Sequence, residues 1–330
     1  GPGGTTISRY NLATNKITDN YATGFLRVGP MTSDTSGNLF ILDVLRNTIV
    51  RTNIFTETSS LLVGGGASGS SSGYADGVGT NALFSFIADV HGRGITYDGN
   101  GNLFVSEAGN TAMIRKVNIA TATVTTVAGG GINRTTNGST NGVGTNALFL
   151  LPTGLTVFSG NIYVADMTNN SIRKLTANSG NDWVYQVGLS YAGQTGIIGA
   201  TGAKGNVGNS MILQGTVSSF SNLPNSVVST LTTVSSFSIQ TVKVAPLSGN
   251  IYFAGTSGNT TSFYRLTPTN TLTQLYTFTG DDFQGTTESM SVTELCVDSA
   301  EIIYYINGRY FGGVYKMLAN SYYNPVRIPL

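Results

Sequence analysis

The chain has 330 residues, of which 40% are hydrophobic and 10% charged, and its 17 basic and 16 acidic residues give a formal net charge of +1. This balance offers no electrostatic surface for nucleic acid or an anionic membrane, so neither partner is expected. One Cys and one His exclude an internal disulfide and a Cys/His zinc cluster, and the sequence contains no apolar run long enough to predict membrane insertion.

The N-terminal segment predicts two short strands, "TTISRYN" at 5–11 and "KITDNYAT" at 16–23. Both are bounded by polar turn residues and contain β-branched or aromatic residues, which is typical of antiparallel hairpins. The same patterns return later in the chain as the third and fourth members of a four-strand unit. The N-terminus therefore predicts half of one such unit.

From residue 30 onward the chain repeats four short β runs separated by Gly, Asn, Asp or Thr. No segment has a convincing apolar period of 3.6 residues, so helices are expected to be few and short. The second run recurs as "GNLFILD" (37–43), "GNLFVSE" (101–107), "GNIYVAD" (160–166), "GNIYFAG" (249–255) and, more weakly, "AEIIYYIN" (300–307). The third run carries a basic residue after apolar neighbours, at Arg9, Arg51, Arg115, Arg173, Arg265 and Lys316.

Two nearly identical phrases, "DGVGTNALF" at 76–84 and "NGVGTNALF" at 141–149, lie between consecutive units. Their glycines favour an irregular loop with positive φ, and the Ala and Phe that follow are expected to pin this loop against the next unit. These apolar residues are Ala82, Phe84, Ala147 and Phe149.

A four-stranded antiparallel unit repeated about six times predicts an all-β protein, a six-bladed β-propeller. The segments "GNLFVSEAGNTAMIRKV" and "GNIYVADMTNNSIRKL" resemble the NHL-repeat β-propellers. The chain is predicted to be one domain over 1–330, with an inter-blade loop at 191–240. That loop contains a collagen-like Gly tract at 193–210 and a Ser/Thr-rich insertion, and "WVYQVG" at 183–188 is the predicted fourth strand before it.

Six third strands but five second strands leave one blade incomplete. The missing inner strands would come from upstream sequence, from the insertion or from a neighbouring molecule. Alternatively, the C-terminal "NPVRIPL" at 324–330 crosses into that blade. Closure within one chain is the preferred interpretation, and five blades plus an extra hairpin is the alternative fold.

A carboxylate ends three of the second strands, and a basic residue follows seven or eight positions later. Because the two lie on neighbouring strands of one hairpin, each pair is predicted to be a structural ion pair. The pairs are Asp43 with Arg51, Glu107 with Arg115, and Asp166 with Arg173.

No cofactor is predicted. Asp34, Asp98 and Asp298 are candidate Ca²⁺ ligands by position, but an Asp there more simply caps a Gly-Asn turn. The cluster "GDDFQGTTE" at 280–288 lacks the alternating ligand order of a calcium loop.

The sequence contains no recognisable catalytic constellation. His91 is interpreted as a surface residue, and Cys296 as a buried, inert thiol. Enzymatic relatives implied by the propeller resemblance use the central channel, where this chain's first strands are poor in His, Asp and Glu. The protein is therefore predicted not to be an enzyme, with a metal-assisted lyase or hydrolase at the channel as the alternative.

Aromatic side chains are the candidate binding residues for a protein or a glycan. They are Tyr310, Phe311, Tyr322, Tyr323 and Trp183. Four sequons are possible glycosylation sites, at Asn133, Asn137, Asn169 and Asn259.

These features together predict an extracellular or surface-exposed scaffold that contacts protein or glycan through propeller loops. Copies of the chain are possible partners through the incomplete blade, and a glycan-binding lectin is a further alternative.

Overall fold

The computed structural model describes residues 5–11, 16–86, 93–108, 110–131, 133–176, 227–234, 237–258, 260–278, 292–307, 313–318 and 326–327. In these ranges the chain is built from antiparallel β-strands, and its helical elements are three-residue 3-10 turns at Gly79–Asn81, Gly144–Asn146 and Met167–Asn169. None of its described helices has the length and apolar character needed to cross a membrane.

The strands form an N-terminal hairpin and five larger sheets. The hairpin pairs β1 (Ile7–Asn11) with β2 (Lys16–Ala22). Sheet 1 contains β3 (Val28–Ser33), β4 (Asn38–Asp43), β5 (Thr48–Asn53) and β6 (Ser59–Gly64). Sheet 2 contains β7 (Gly77–Val78), β8 (Arg93–Tyr97), β9 (Asn102–Ala108), β10 (Ala112–Asn118) and β11 (Thr123–Gly129).

The remaining sheets repeat this order. Sheet 3 contains β12 (Gly142–Val143), β13 (Pro152–Phe158), β14 (Asn161–Asp166), β15 (Ser171–Thr176) and β16 (Val227–Thr233). Sheet 4 contains β17 (Ser238–Val244), β18 (Ile251–Ser257), β19 (Thr260–Leu266) and β20 (Leu272–Phe278). Sheet 5 contains β21 (Val292–Val297), β22 (Ile302–Asn307), β23 (Gly313–Leu318) and β24 (Val326–Arg327).

The five sheets follow one another around a common centre. The first strand of each sheet contacts the first strand of the next, in the order β3, β8, β13, β17 and β21. Apolar side chains fill the space between each pair of neighbouring sheets, because one face of a single sheet cannot be buried within that sheet. This arrangement confirms the predicted propeller of four-stranded antiparallel blades. The number of blades stays a prediction.

The turn between first and second strands is the most regular part of the repeat. An Asp carboxylate caps it: Oδ1 of Asp34 accepts hydrogen bonds from the backbone N–H groups of Ser36 and Asn38, both at 2.8 Å. Asp98 and Asp298 make the same two contacts in sheets 2 and 5. The predicted role of these three residues as turn caps is confirmed.

The repeated nine-residue phrase links consecutive sheets along their outer edge. Its Gly-Val dipeptide forms the short strands β7 and β12, which pair with the fourth strands β11 and β16 of the sheet that follows. The chain then turns inward, and Phe84 and Phe149 lie fully buried between neighbouring sheets. The predicted architectural role of the phrase is confirmed.

The fourth strand of sheet 3 differs from the prediction. It is β16, whereas the sequence predicted "WVYQVG" at 183–188, which lies outside the described residues. β16 occupies the fourth position of the sheet because it pairs with β15 along one edge and with β12 along the other. Part of the Ser/Thr-rich segment therefore belongs to a blade. Residues 191–226 of the predicted loop, which include the Gly tract, lie outside the described residues, and its last residues, 238–240, begin β17.

The chain ends do not join as the crossing alternative predicted. β24 pairs with β23 and so completes sheet 5, its own blade. The N-terminal hairpin is a two-stranded sheet that packs its apolar face on sheet 1, with Tyr21 and Phe25 against Ile41. The two strands predicted at the N-terminus are therefore observed as a hairpin, and their place in a sixth blade stays a prediction.

Candidate functional site

A cavity of about 280 Å³ opens between the first strands of all five sheets. Glycines let these strands approach one another closely around it. A Cβ atom on Gly94 would lie 2.6 Å from the carbonyl oxygen of Thr153, and one on Gly154 would lie 2.8 Å from Cα of Thr241. The cavity is therefore framed by tightly packed backbone, and the longer polar side chains around it give it its chemistry.

Irregular strand pairing marks the level of the cavity. Four of the five first strands shift register there against their second strands, and such bulges redirect side chains next to functional sites. The shifts lie between Val28 and Met31, Pro152 and Leu155, Ile239 and Thr241, and Val292 and Glu294. Gln240 is one of the displaced residues, and its Oε1 atom is buried with no hydrogen-bond donor in the described part of the chain.

The charges at the cavity are mainly positive. Arg27 and Arg93 line it from sheets 1 and 2, and Lys243 and Glu294 line it from sheets 4 and 5. Nζ of Lys243 lies 3.1 Å from Oε1 of Glu294, and both side chains are partly exposed. Among the described lining residues, three are basic and one is acidic, and this excess of positive charge favours a small anion.

The predicted ion pairs are confirmed in sheets 2 and 3. Glu107 and Arg115 are 2.7 Å apart, Asp166 and Arg173 are 2.9 Å apart, and all four side chains are fully buried. Each carboxylate also accepts hydrogen bonds from the incoming link, for example from the N–H group of Leu150 to Asp166 at 3.0 Å. These pairs therefore fasten the link between two sheets, which is a structural role.

The prediction for sheet 1 is wrong, because Asp43 pairs with Arg46 at 2.8 Å and not with Arg51. Strand register gives the reason. Arg173 lies opposite Val164, two residues before its partner carboxylate, whereas Arg51 lies opposite Phe40, three residues before Asp43. A shift of one residue turns a side chain to the other face of a strand.

The two copies of the link phrase differ in charge at their first residue. In sheet 2, Asp76 binds Arg115 at 2.9 Å and also contacts Arg134, whereas in sheet 3 the neutral Asn141 binds Arg173 at 2.9 Å. Partial burial raises the pKa of Asp76, but the Arg115 charge, hydrogen bonds from Thr126 and the Arg134 charge outweigh it and leave this pKa lowered. Arg115 is thus shared by two carboxylates.

Glu107 is the carboxylate of this cluster that titrates near neutral pH. Complete burial raises its pKa to about 7, despite the attraction of Arg115. Since the folded chain then binds this proton more tightly than the unfolded chain, stability falls as pH rises from about 4.5 to about 7 and is constant above that. We expect a contribution of about 3 kcal/mol over this window, measured by urea unfolding at several pH values.

The Glu107→Gln variant is the control for this pH dependence. It has the same shape without the titrating proton, so its unfolding free energy should be flatter between pH 4.5 and 7. An equal slope in both proteins would contradict the assignment to Glu107.

Other predicted site residues have mixed outcomes. Six of them and the cluster at 280–288 lie outside the described residues: Tyr310, Phe311, Tyr322, Tyr323, Trp183 and His91.

Cys296 is exposed, which corrects the prediction of a buried thiol. The reason is strand alternation, since Leu295 and Val297 occupy the buried face of β21. Among the described residues, no three His, Cys, Asp or Glu side chains are grouped as metal ligands would be.

The sequons have different environments. Nδ2 of Asn169 donates to Asp166 at 2.7 Å and to the carbonyl of Gly138 at 2.9 Å, and Nδ2 of Asn137 donates to the carbonyl of Asn110 at 3.2 Å. A glycan on either nitrogen would disturb these contacts. Asn133 is exposed, and Asn259 lies outside the described residues. Glycosylation stays a prediction, with Asn133 the most accessible of the described sites.

The channel residues were missed because no local motif contains them. They come from five separate segments, and bulges set which side chains face the centre. The scarcity of acidic residues in the first strands was recognised from the sequence, whereas the grouping of basic residues around the cavity was not.

Comparison with known proteins supports the fold. No protein-family model matches the chain, and no curated protein matches it. One similar solved structure is named as a gluconolactonase, with a TM-score of 0.50, 11% identity, and coverage of 91% of this chain and 77% of that one. A nidogen/laminin complex gives a TM-score of 0.52 at 11% identity, covering 96% and 88%.

A third similar structure, from Bacteroides uniformis, is named as a 6-phosphogluconolactonase, with a TM-score of 0.51, 10% identity, and coverage of 97% of this chain and 76% of that one. At these identities the similarity establishes the β-propeller fold. It also corrects the prediction that the chain is not an enzyme, which rested on first strands poor in His, Asp and Glu, because two of these three propellers are named as enzymes.

Proposed function

We propose that this protein binds a small anionic ligand of the sugar-acid class in the channel cavity. The observation that carries the proposal is the convergence of Arg27, Arg93 and Lys243 on one cavity between the first strands of the sheets. Guanidinium and ammonium groups bind carboxylate or phosphate through charge-assisted hydrogen bonds. Oε1 of Gln240, which is buried without a donor, is suited to a ligand hydroxyl.

The size of the cavity fits this class. A volume of about 280 Å³ lies just below the range of about 300–1,000 Å³ that is usual for small-molecule sites, which suits a ligand of one sugar unit. The names of two similar propellers, a gluconolactonase and a 6-phosphogluconolactonase, supply the specific candidates: a sugar lactone or its acid. Lactone hydrolysis at the same cavity is part of the proposal, with Glu294 as the carboxylate among the described lining residues.

Binding of 6-phosphogluconate, measured by isothermal titration calorimetry, tests the proposal. We expect Lys243→Ala to raise the dissociation constant about tenfold, which corresponds to about 1.4 kcal/mol. Glu294→Gln should lower it, because Lys243 then no longer shares its charge with a carboxylate at 3.1 Å.

The matched control is Lys174→Ala, which removes a lysine from the third strand of sheet 3, away from the cavity lining. Gluconate, which lacks the phosphate, should bind more weakly. Hydrolysis of δ-gluconolactone, followed by acid release, tests the enzymatic part separately. An unchanged affinity in Lys243→Ala would contradict the proposal.

Protein contact, including association between copies of the chain, is a second candidate function. The predicted surface location and the NHL-type assignment of the blades belong to this second proposal. It is supported by the N-terminal hairpin, since β1 pairs only with β2 among the described strands and an open edge can accept another strand. One similar propeller is part of a nidogen/laminin complex. Light scattering after size-exclusion chromatography tests self-association, and a monomer at all concentrations would contradict it.

A further inference from the structure

A second cavity, of about 310 Å³, lies on sheet 1 away from the channel. We call it the outer cavity. It is formed where β4 begins, β5 ends and β6 begins, and each residue around it is polar. They are Asn38, Arg51, Asn53, Thr56, Thr58 and Ser60.

Arg51 supplies the positive charge of the outer cavity. The register that separates it from Asp43 places it on the opposite face of β5, where its side chain is exposed. Asp34 is the acidic residue that interacts electrostatically with Arg51. Its carboxylate accepts hydrogen bonds from the backbone N–H groups of Ser36 and Asn38. The Arg51 side chain lines the outer cavity and is exposed, so an added anion can reach its guanidinium.

The turn after β5 orients the neutral donors. Oδ1 of Asn53 accepts hydrogen bonds from the N–H groups of Phe55 and Thr56, at 2.9 and 3.0 Å. Because the oxygen is used by the turn, the NH₂ group of Asn53 points away from it. The hydroxyls of Thr56 and Thr58 are 2.8 Å apart and form one polar wall.

The place on sheet 2 that corresponds to the outer cavity has a similar residue pattern but is closed. Lys116 lies opposite Phe104, as Arg51 lies opposite Phe40, but Lys116 is only 9% exposed. Nδ2 of Asn118 donates to Oδ1 of Asn102 at 3.3 Å and closes the gap between the two strands. The open form in sheet 1 is thus a local departure from the repeat.

Phe55 adds an exposed aromatic surface in the turn that supplies Asn53 and Thr56 to the outer cavity. Its side chain is 77% exposed, and it belongs to the same turn as Asn53 and Thr56. The ring lies over Gly37, where a Cβ atom would be 2.2 Å from Cε2, so the absence of a side chain there leaves room for it. An exposed aromatic ring can pack against the apolar face of a sugar.

We propose that the outer cavity and Phe55 form a binding site for an acidic saccharide. Its sulfate or carboxylate group contacts Arg51 and the amide of Asn53, and its sugar ring packs on Phe55. The guanidinium fork suits such planar or tetrahedral oxyanions. Because the site is open and Asp34 lies near, the expected dissociation constant is about 1 mM.

Calorimetric titration with a sulfated heparin disaccharide, its desulfated form and inorganic sulfate tests this site. The wild-type protein should bind the sulfated disaccharide and not the desulfated one. Arg51→Ala should weaken binding at least about tenfold and Phe55→Ala about threefold. Lys174→Ala, at the equivalent position of sheet 3, should change nothing.

Three outcomes would overturn the proposal. One is equal affinity in Arg51→Ala and wild type. Another is inorganic sulfate binding as tightly as the disaccharide with no effect of Phe55→Ala, which would show an oxyanion site without sugar recognition. The third is loss of disaccharide binding in Lys243→Ala, which would place the ligand in the channel. Far-UV circular dichroism checks that each variant is folded.

Discussion

Replacing Arg173 with methionine is expected to lower the free energy of unfolding by about 3–5 kcal/mol. The guanidinium is fully buried, binds Asp166 at 2.9 Å, and donates to the carbonyl of Leu148 at 2.9 Å and to Asn141 at 2.9 Å. Methionine fills part of the space but leaves the Asp166 carboxylate buried without its counter-charge. Such an uncompensated buried charge is among the most destabilising single changes.

Urea unfolding at 25 °C measures this loss, and Arg51→Met is the matched control. Arg51 is exposed and is not paired with Asp43, so the same substitution there should change stability by no more than about 0.5 kcal/mol. A loss in Arg173→Met as small as that in Arg51→Met would show that the buried ion pair does not hold the link.

Periodic features of the fold were predictable from sequence. The Gly-Asn turns, the second strands and the link phrase are local patterns, and each has the predicted structure. The Gly before the second strand has a positive φ in four sheets, at Gly37, Gly101, Gly160 and Gly249. Such a conformation is easily recognised because few other residues adopt it.

The weak fifth copy, at "AEIIYYIN", illustrates where local patterns fail. Glu301 occupies the glycine position with φ +60°. Its carboxylate accepts hydrogen bonds from the Tyr252 hydroxyl and from Nδ2 of Asn250 in the neighbouring sheet. Contacts with a neighbouring sheet thus stabilise a conformation that the local sequence disfavours. Such contacts could not be predicted from the local sequence.

Strand register and the pairing of strands that are distant in sequence could not be predicted from the sequence. Arg51 differs from Arg173 by one position along its hairpin, a difference that is invisible until the turn length is known. β16 follows β15 after a long intervening segment, so its partner strand is not evident from spacing. The channel cavity depends on bulges in several sheets, and no single segment encodes it.

Replacing Phe149 with alanine is also expected to cost about 3–5 kcal/mol. Its ring is fully buried in the apolar cluster between sheets 2 and 3, beside Phe104 and Val164. The Arg173 guanidinium lies over it, 5.0 Å from the ring centre. Neighbouring sheets contact through this residue, so its removal leaves a cavity that two paired sheets cannot close.

Phe55→Ala is the control, because it makes the same chemical change at a ring that is 77% exposed and should cost about 0.5 kcal/mol or less. Phe84→Ala, in the first copy of the link, should match Phe149→Ala, since its ring is buried in the same way under Arg115. All three variants are compared by urea unfolding. If both link variants were as stable as Phe55→Ala, the phrase would be a surface loop, and the packing of consecutive sheets through it would be wrong.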